Sequence, residues 1–268
     1  MKNKIRGEFI LKFLIVGDVC GRPGREAFRK YVPELKKEHN IDVVVVNGEN
    51  IAGGRGISRK TLDEIYRAGA DIVTSGNHIW DQKEIVSFID DEPFLIRPVN
   101  YPEGAPGKGY CIYPFKAKNI GVINVSGRTF MPPMDCPFQK VDEILKEIKN
   151  QCDIILVDIH AEATSEKIAM GFYLDGKVTC VVGTHTHVQT ADNRILPKGT
   201  AYISDLGMVG PYNSSLGINV NNAIDKFITC RPVRFEMAEG PNIFSAVVLE
   251  LAEDNSVKSF ERILFNEE

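Results

Sequence analysis

Short runs of valine, isoleucine and leucine alternate with amphipathic segments over the first two thirds of the chain. These runs lie at residues 11–16, 43–46, 72–74, 120–125, 154–159 and 178–182. Nearly continuous apolar runs are typical of central strands that are covered on both faces. Apolar residues at helical spacing predict helices over residues 23–38, 58–68 and 139–149. Ser58 is the predicted N-cap of the second helix, and Pro33 is expected to kink or divide the first.

The last third of the chain has a different pattern. Apolar and polar side chains alternate at residues 201–204, 233–237, 244–251 and 257–263. Only residues 221–228 have a helical spacing in this part. Alternation predicts strands with one solvated face, which we expect to be antiparallel. No linker rich in proline, glycine or serine divides the chain, so we expect a single α/β domain over residues 11–265, with helices outside two sheets.

The composition of the chain limits which partners and which cellular location we expect. The chain has 268 residues, a net charge of −4 and six scattered cysteines without a C-x-x-C pair. A chain with this net negative charge has no overall cationic field, so we expect neither duplex nucleic acid nor a membrane as a partner. Reduced thiols and the absence of a bilayer-length apolar run favour a cytoplasmic protein. Residues 1–10 are interpreted as a short N-terminal extension, because Lys12 interrupts the apolar stretch that a signal peptide would need.

A long irregular stretch at residues 90–109 contains four prolines and several glycines. Connections of this length are commonly functional. We expect this one to form a rim of the site or a contact surface. Together with the β-rich tail it is a candidate subunit contact, so we predict a homo-oligomer.

Ligand-type side chains follow five of the predicted strands. In chain order they are Asp18, Glu49, Asn50, Asn77, His78, His160, His185 and His187. In an open α/β sheet, ligands bind outside the carboxyl ends of the strands. Imidazole mixed with carboxylate and amide oxygens suits iron, manganese or zinc. Because the set is too rich for one ion, a dinuclear site bridged by Glu49 is indicated.

Each of these residues alone has a simpler interpretation. A strand-end aspartate or asparagine is commonly a turn or helix-cap residue, and a histidine after a strand is commonly a buried polar group with a partner. The pair His185 and His187 is more specific, because residues two apart point the same way in an extended chain. The combination in this order favours a metal-dependent hydrolase.

The order of these motifs resembles the calcineurin-like metallophosphoesterases, and more narrowly their YmdB-like bacterial branch. The resemblance extends from about Leu11 to Ile263. It rests on residues 17–25 (GDVCGRPGR), 47–50 (NGEN), 76–81 (GNHIWD), 160–165 (HAEATS) and 183–190 (GTHTHVQT). It implies a two-sheet αββα sandwich with mixed sheets. It also implies a phosphoric diester hydrolase that acts on 2′,3′-cyclic nucleotides of the 2′,3′-cAMP type through a metal-activated hydroxide.

The resemblance implies a role for each ligand residue of the first metal. Asp18 and His187 would hold this metal, and Glu49 would bridge to the second. The wider superfamily has Asp-x-His where this chain has Asp-Val-Cys at positions 18–20. Asn50 is implied to fill the place of the missing histidine. Cys20 is either a thiolate ligand or a packing residue.

For the second metal, the resemblance implies that Asn77, His160 and His185 are ligands. His78 is left unligated beside Asn77 and is the candidate general acid, which would protonate the departing ribose oxygen. Asp81 would either orient the His78 imidazole or cap a helix. The expected cofactors are two divalent transition-metal ions, with iron or manganese favoured and zinc or magnesium as alternatives.

Other side chains are candidate substrate contacts. Bidentate guanidinium groups suit phosphate. The arginines near predicted strand ends are Arg22, Arg25, Arg55 and Arg128. Trp80, Tyr101 and Phe130 are candidates for stacking on a base, with core packing as the alternative.

Three functions stay open at this point. The leading one is a phosphodiesterase that acts on a small phosphodiester or nucleotide. The second is a phosphomonoesterase or nucleotidase, because the same metal pair hydrolyses either ester; the extra charge of a monoester would favour several arginines acting together. The third is a regulatory nucleotide-binding protein with weak catalysis, for which the unusual Asp-Val-Cys block leaves room.

Overall fold

The computed structural model describes residues 10–267, so nearly all of the predicted extension at residues 1–10 lies outside the described residues. The helices are α1 (Gly21–His39), α2 (Arg59–Arg67), α3 (Pro137–Ile148), α4 (Thr164–Leu174) and α5 (Val220–Thr229). The strands are β1 (Leu11–Val16), β2 (Asp18–Val19), β3 (Val43–Asn47), β4 (Ile72–Thr74), β5 (Tyr110–Phe115), β6 (Lys118–Ser126), β7 (Ile154–His160), β8 (Cys180–Thr184), β9 (Arg194–Ile195), β10 (Ala201–Ile203), β11 (Met208–Pro211), β12 (Asn242–Leu251) and β13 (Val257–Asn266).

Two mixed sheets form the centre of the fold. The first has the strand order β2-β11-β12-β1-β3-β4, and β13 also pairs with β12. The second has the order β5-β6-β7-β8-β10-β9. Strands β1, β3 and β4 are parallel to one another, and so are β6, β7 and β8. Their carboxyl ends therefore lie at one edge of each sheet, where a site is expected.

Side chains alternate between two apolar layers along the central strands. In β1, Leu14 and Val16 pack with Phe28 of α1 on the outer face of the first sheet. Phe13 and Ile15 point the other way, into the layer between the two sheets. A third layer joins the second sheet to α3 and α4. Helix, sheet, sheet and helix thus follow one another, and the αββα sandwich is confirmed.

The helix predictions hold for most of their length. The Ser58 hydroxyl accepts a hydrogen bond from the backbone N–H of Thr61 at 3.2 Å, so Ser58 is the N-cap of α2. Helix α1 contains Pro33 and continues to His39, so the proline does not divide it. Strand β12 is antiparallel to β1, β11 and β13, as its alternation predicts.

Some expectations were wrong. Residues 233–237 form no strand, and only Met237 pairs there, in an isolated bridge with Ile218. Strand β10 is parallel to its neighbour β8 and antiparallel only to the two-residue β9. Helix α4 was not predicted because its pattern is inverted: Lys167 is buried, whereas Phe172 is half exposed. Strand β5 was also missed, since Pro114 interrupts its apolar pattern.

The irregular stretch at residues 90–109 is held by its own polar side chains. The Arg97 guanidinium donates hydrogen bonds to the carbonyl oxygens of Pro98, Ala105 and Pro106. Tyr101 packs edge-on against Trp80, with the ring centroids 5.7 Å apart. The stretch therefore borders the segment that carries His78.

Two further findings concern the cysteines and the helices. All six cysteines lie within the described residues and are free thiols. Across residues 10–267, no helix has both the length and the apolar character needed to cross a membrane.

The layer between the sheets can be tested with one pair of leucines. Leu249 in β12 is fully buried there, whereas Leu264 in the paired strand β13 is 49% exposed. We expect Leu249→Ala to lower the free energy of unfolding by about 2–5 kcal/mol, because it leaves a cavity. Leu264→Ala should change it by less than about 0.5 kcal/mol. Urea unfolding followed by circular dichroism measures both, and equal losses would contradict the layer assignment.

Candidate metal centre

The strand ends bring most of the predicted ligand residues to one cavity. The cavity has a volume of about 290 Å³. Its lining includes Glu49, Asn50, His78, His185 and His187. Asp18 and His160 are fully buried beside these residues. Side chains from the carboxyl ends of both sheets therefore meet in one place.

The first ligand group consists of Asp18, Glu49 and His187. Each offers a ligand atom, and these atoms all lie within 4.8 Å of one another. The Nδ2 atom of Asn50 lies 3.1 Å from Glu49 Oε1 and 3.2 Å from His187 Nε2. The side-chain amide of Asn50 therefore lies inside this group, and a rotation by 180° would present its oxygen instead of its nitrogen.

The second ligand group consists of Glu49, His160 and His185. The Nε2 atom of His160 lies 3.2 Å from Glu49 Oε1 and 3.0 Å from Asn77 Oδ1. It also lies 3.0 Å from His185 Nδ1. Glu49 is the member that both groups share, which is the position of a bridging carboxylate.

Burial and neighbouring charges shift the pKa values of several groups in this site. Asp18 Oδ1 is buried without a hydrogen-bond partner, and burial raises the pKa of Asp18 to about 7. Burial also opposes the charge on Glu49, but His160 outweighs it and lowers the pKa of Glu49 to about 2. Burial, then His160, lowers the pKa of His185 to about 3, which keeps this imidazole in the neutral form that binds metals. A cation would provide the missing partner for the buried Asp18 oxygen.

Gly76 makes room for these ligands. A Cβ atom at this position would overlap with Glu49 Oε2 and with His160 Nε2. The absence of a side chain thus lets the backbone pass close to both ligand groups.

A buried hydrogen-bond chain orients His160. The Thr184 hydroxyl donates to Asp158 Oδ1 at 2.7 Å, so its oxygen is left to accept the N–H of His160 Nδ1 at 2.9 Å. Asp158 Oδ2 accepts from Thr74 Oγ1 at 2.5 Å and from Asn47 Nδ2 at 3.2 Å. This arrangement fixes the tautomer in which His160 Nε2 carries the free lone pair. These residues were missed from the sequence, although Asp158 shares a strand face with His160.

A buried ion pair holds the loop that carries His185 and His187. Both histidines have a positive φ, 101° and 64°, which is strained for a residue with a side chain. Between them, Thr186 donates from its backbone N–H and its hydroxyl to Asp205 Oδ2, at 3.0 and 2.7 Å. Lys167 Nζ lies 2.7 Å from the same oxygen and also donates to the Thr184 carbonyl. The pair therefore offsets the strain of the loop.

His78 lies in the cavity but belongs to neither ligand group. Its Nδ1 atom is 2.9 Å from Asp81 Oδ2, and its backbone N–H donates to Glu49 Oε2 at 3.1 Å. With Nδ1 held by Asp81, Nε2 is the ring nitrogen that is left to face a substrate.

Cys20 and Glu162 contact ligand histidines from outside the two groups. Cys20 Sγ lies 3.7 Å from Nδ1 of His187, on the opposite side of the ring from the Nε2 that faces Asn50. Glu162 Oε2 lies 3.1 Å from His185 Nε2. Glu162 was not predicted, and its position two residues after His160 was the only available signal.

The structure places the four candidate arginines in different surroundings. Arg55 lines the cavity. Arg22 and Arg25 line a separate groove between α1 and α2, where Arg25 Nε lies 2.6 Å from Glu64. The backbone N–H of Arg128 donates to Glu166, and Arg128 does not line the cavity.

The three candidate stacking residues are also outside the cavity lining. Trp80 and Tyr101 pack against the core of the first sheet. Phe130 is 88% exposed.

Two mixed sheets with two ligand groups at their strand ends define a protein of the metallophosphoesterase type. The chain matches the YmdB-like protein family over residues 14–263 and belongs to that family. A relative from Bacillus subtilis (strain 168), named 2′,3′-cyclic-nucleotide 2′-phosphodiesterase, is 51% identical over 260 residues, which are 96% of this chain and 98% of the relative.

Two solved structures share the fold of this chain. A novel phosphatase from Mycoplasma pneumoniae superposes with a TM-score of 0.92 at 35% identity, covering 97% of this chain and 95% of the other. A hypothetical protein from Thermus thermophilus superposes with a TM-score of 0.91 at 40% identity, covering 96% and 100%. The predicted family and fold are thereby confirmed.

The hydrogen bond behind His160 can be removed with one substitution. We expect Thr184→Val to weaken Mn²⁺ binding about 10- to 100-fold, because the imidazole loses the group that orients it. The matched control is Thr179→Val immediately before β8, where the hydroxyl accepts from the Ile155 N–H. Calorimetric titration of the metal-free proteins measures both, and an unchanged affinity in Thr184→Val would refute the orienting role.

The buried ion pair can be tested by stability. Lys167→Met leaves the Asp205 carboxylate buried without its cation, so the free energy of unfolding should fall by about 3–5 kcal/mol. The double variant with Asp205→Asn carries no buried charge and should recover part of this loss. Chemical denaturation of the three proteins measures the effect. A double variant that is less stable than Lys167→Met would contradict the explanation.

Proposed function

We propose that this chain is a dinuclear, metal-dependent phosphodiesterase that hydrolyses 2′,3′-cyclic nucleotides such as 2′,3′-cAMP. The observation that carries the proposal is the pair of ligand groups that share Glu49, with His78 beside them in the same cavity. The name of the Bacillus subtilis relative supports the substrate class.

Seven residues are proposed to hold two divalent ions. Asp18, Asn50 and His187 would hold the first ion, Asn77, His160 and His185 the second, and Glu49 both. The mixture of imidazole, carboxylate and amide donors favours iron or manganese over zinc or magnesium. Two divalent ions at these positions would polarise the phosphate and would lower the pKa of a water molecule, making it a nucleophile at neutral pH.

His78 is proposed to protonate the leaving group. Hydrolysis of the cyclic diester breaks the bond between phosphorus and the ribose 2′ oxygen, which leaves as an alkoxide and needs a proton. His78 donates this proton from Nε2, while Asp81 accepts the hydrogen bond from Nδ1–H and orients the ring. General acid catalysis of this kind contributes about 10²- to 10⁴-fold.

The positions of the arginines support a diesterase over a phosphomonoesterase. A monoester carries an additional negative charge, so several arginines acting together would suit it. Of the four candidates only Arg55 lines the cavity, and Glu162 lines it as well. A carboxylate at this position repels a dianion more strongly than a monoanion.

Other expectations stay predictions. They are the cytoplasmic location, the homo-oligomer, the single domain over residues 11–265 and the alternative in which the protein binds a nucleotide with little turnover.

The general acid can be tested by His78→Ala. We expect cyclic-diester turnover with Mn²⁺ supplied to fall about 10²- to 10⁴-fold, while both metals are retained, because His78 is not a ligand. The control is His39→Ala at the end of α1, which removes a histidine outside the cavity and should leave turnover unchanged. Turnover of 2′,3′-cAMP and a panel of monoesters, together with metal content, measures the effects.

The outcomes separate the three functions. Preferential cleavage of monoesters by the wild type would favour the phosphomonoesterase. Nucleotide binding without turnover in metal-replete wild type would favour the regulatory protein. If His78→Ala lost metal as well as activity, the result would contradict the proposal that His78 is the general acid.

A further inference from the structure

A second concave surface lies between α1 and α2. This groove has a volume of about 510 Å³, larger than the cavity of the metal centre. Its basic lining residues are Arg22, Arg25, Arg29, Lys60 and Arg67. Two glutamates also line it, so the groove has a local excess of three positive charges. The whole chain has a net charge of −4, so this positive surface is a local feature.

The arginines of α1 form a row along one face of the helix. Arg22, Arg25 and Arg29 have the i, i+3, i+7 spacing that places side chains on the same face. At 1.5 Å per residue the row is about 10 Å long. This length corresponds to on the order of two to three nucleotides of one strand. A row of cations in a groove is a surface that follows a phosphate backbone.

The groove adjoins the metal centre. Cys20 lines the cavity, and Arg22, two residues further along the chain, lines the groove. The Gly21 N–H donates to the Asn50 carbonyl at 2.9 Å, which fastens the start of α1 to the loop of a predicted ligand. The start of the groove is therefore fastened to the loop that carries two of the predicted metal ligands, Glu49 and Asn50.

The groove is built partly by Arg25 itself. Its Nε atom lies 2.6 Å from Glu64 Oε2 of α2, and its Nη1 donates to the Ile51 carbonyl next to Asn50. Arg25 thus links α1 to α2 and to the loop after β3, which carries Glu49 and Asn50. Arg29 of α1 and Arg67 of α2, in contrast, are exposed. The exposed basic residues, two on each helix, are the ones available to a ligand: Arg22 and Arg29 on α1, and Lys60 and Arg67 on α2.

We propose that this groove binds the backbone of a short single-stranded RNA whose 3′-terminal 2′,3′-cyclic phosphate lies in the metal centre. This inference rests on the proposed function and extends its substrate from a mononucleotide to an RNA end. A 2′,3′-cyclic phosphate forms when an RNA 2′-hydroxyl attacks the neighbouring phosphorus and the 5′ oxygen of the next nucleotide leaves and takes up a proton. RNA that is cleaved in this way therefore carries the cyclic phosphate at its 3′ end. Water adds across the bond between phosphorus and the 2′ oxygen, the oxygen receives a proton, and the RNA keeps a 3′-phosphate.

The test compares two substrates and two charge-reversal variants. The substrates are 2′,3′-cAMP and a five-nucleotide RNA with a 2′,3′-cyclic phosphate. The groove variant is Arg29→Glu with Arg67→Glu. The control, Lys37→Glu with Lys146→Glu, makes the same change in net charge at exposed positions outside the groove. Metal content and turnover of 2′,3′-cAMP verify that both variants are folded and loaded.

We expect the wild type at low salt to have a kcat/KM for the RNA about tenfold above that for 2′,3′-cAMP. The groove variant should lose this preference and cleave 2′,3′-cAMP within about twofold of the wild type, and the control should keep the preference. A wild type without preference for RNA, or a preference that survives in the groove variant, overturns the groove proposal alone. Failure of metal-replete wild type to cleave either substrate overturns the phosphodiesterase proposal as well.

Discussion

The carboxylate of Asp158 joins the two sheets beneath the metal centre. It belongs to β7 of the second sheet, and it accepts hydrogen bonds from Asn47 and Thr74 of the first sheet and from Thr184 of its own. Burial raises the pKa of Asp158, although these hydrogen bonds favour its charged form. A buried carboxylate is tolerated only where such partners are in place. The position of the strand ends, and therefore of the ligands that follow them, depends on this contact.

The metal centre contains strained backbone and buried charges, and contacts elsewhere in the fold stabilise them. The loop with His185 and His187 has left-handed backbone conformations, and the buried pair of Lys167 and Asp205 fastens it. Asp18 keeps an unpartnered buried oxygen. Features of this kind cost free energy without a cation and are typical of functional sites. Metal binding is therefore expected to stabilise the folded protein, since the ions supply the missing partners.

Two concave surfaces with different charge lie on either side of the loop after β3. Carboxylates and imidazoles converge in the cavity, whereas arginines line the groove between α1 and α2. The motif at residues 17–25 contributes to both, because the chain turns from β2 into α1 within it. One short segment thus connects the chemistry of the metal centre to a surface suited to a phosphate chain.

The meeting of the candidate ligand residues and the αββα architecture were predictable from the sequence, because parallel buried strands place the residues that follow them at one edge. The orientation of α1 was not predictable, and it places Arg22 and Arg25 in the groove instead of the cavity. Helix α4 and the support by Thr184, Asp158 and Lys167 were also missed. These residues act through contacts between distant segments, which exist only after the two sheets have packed together. The sequence alone determined which groups could bind a metal, and the tertiary structure decided which partners orient them, because local patterns carry no information about long-range pairing.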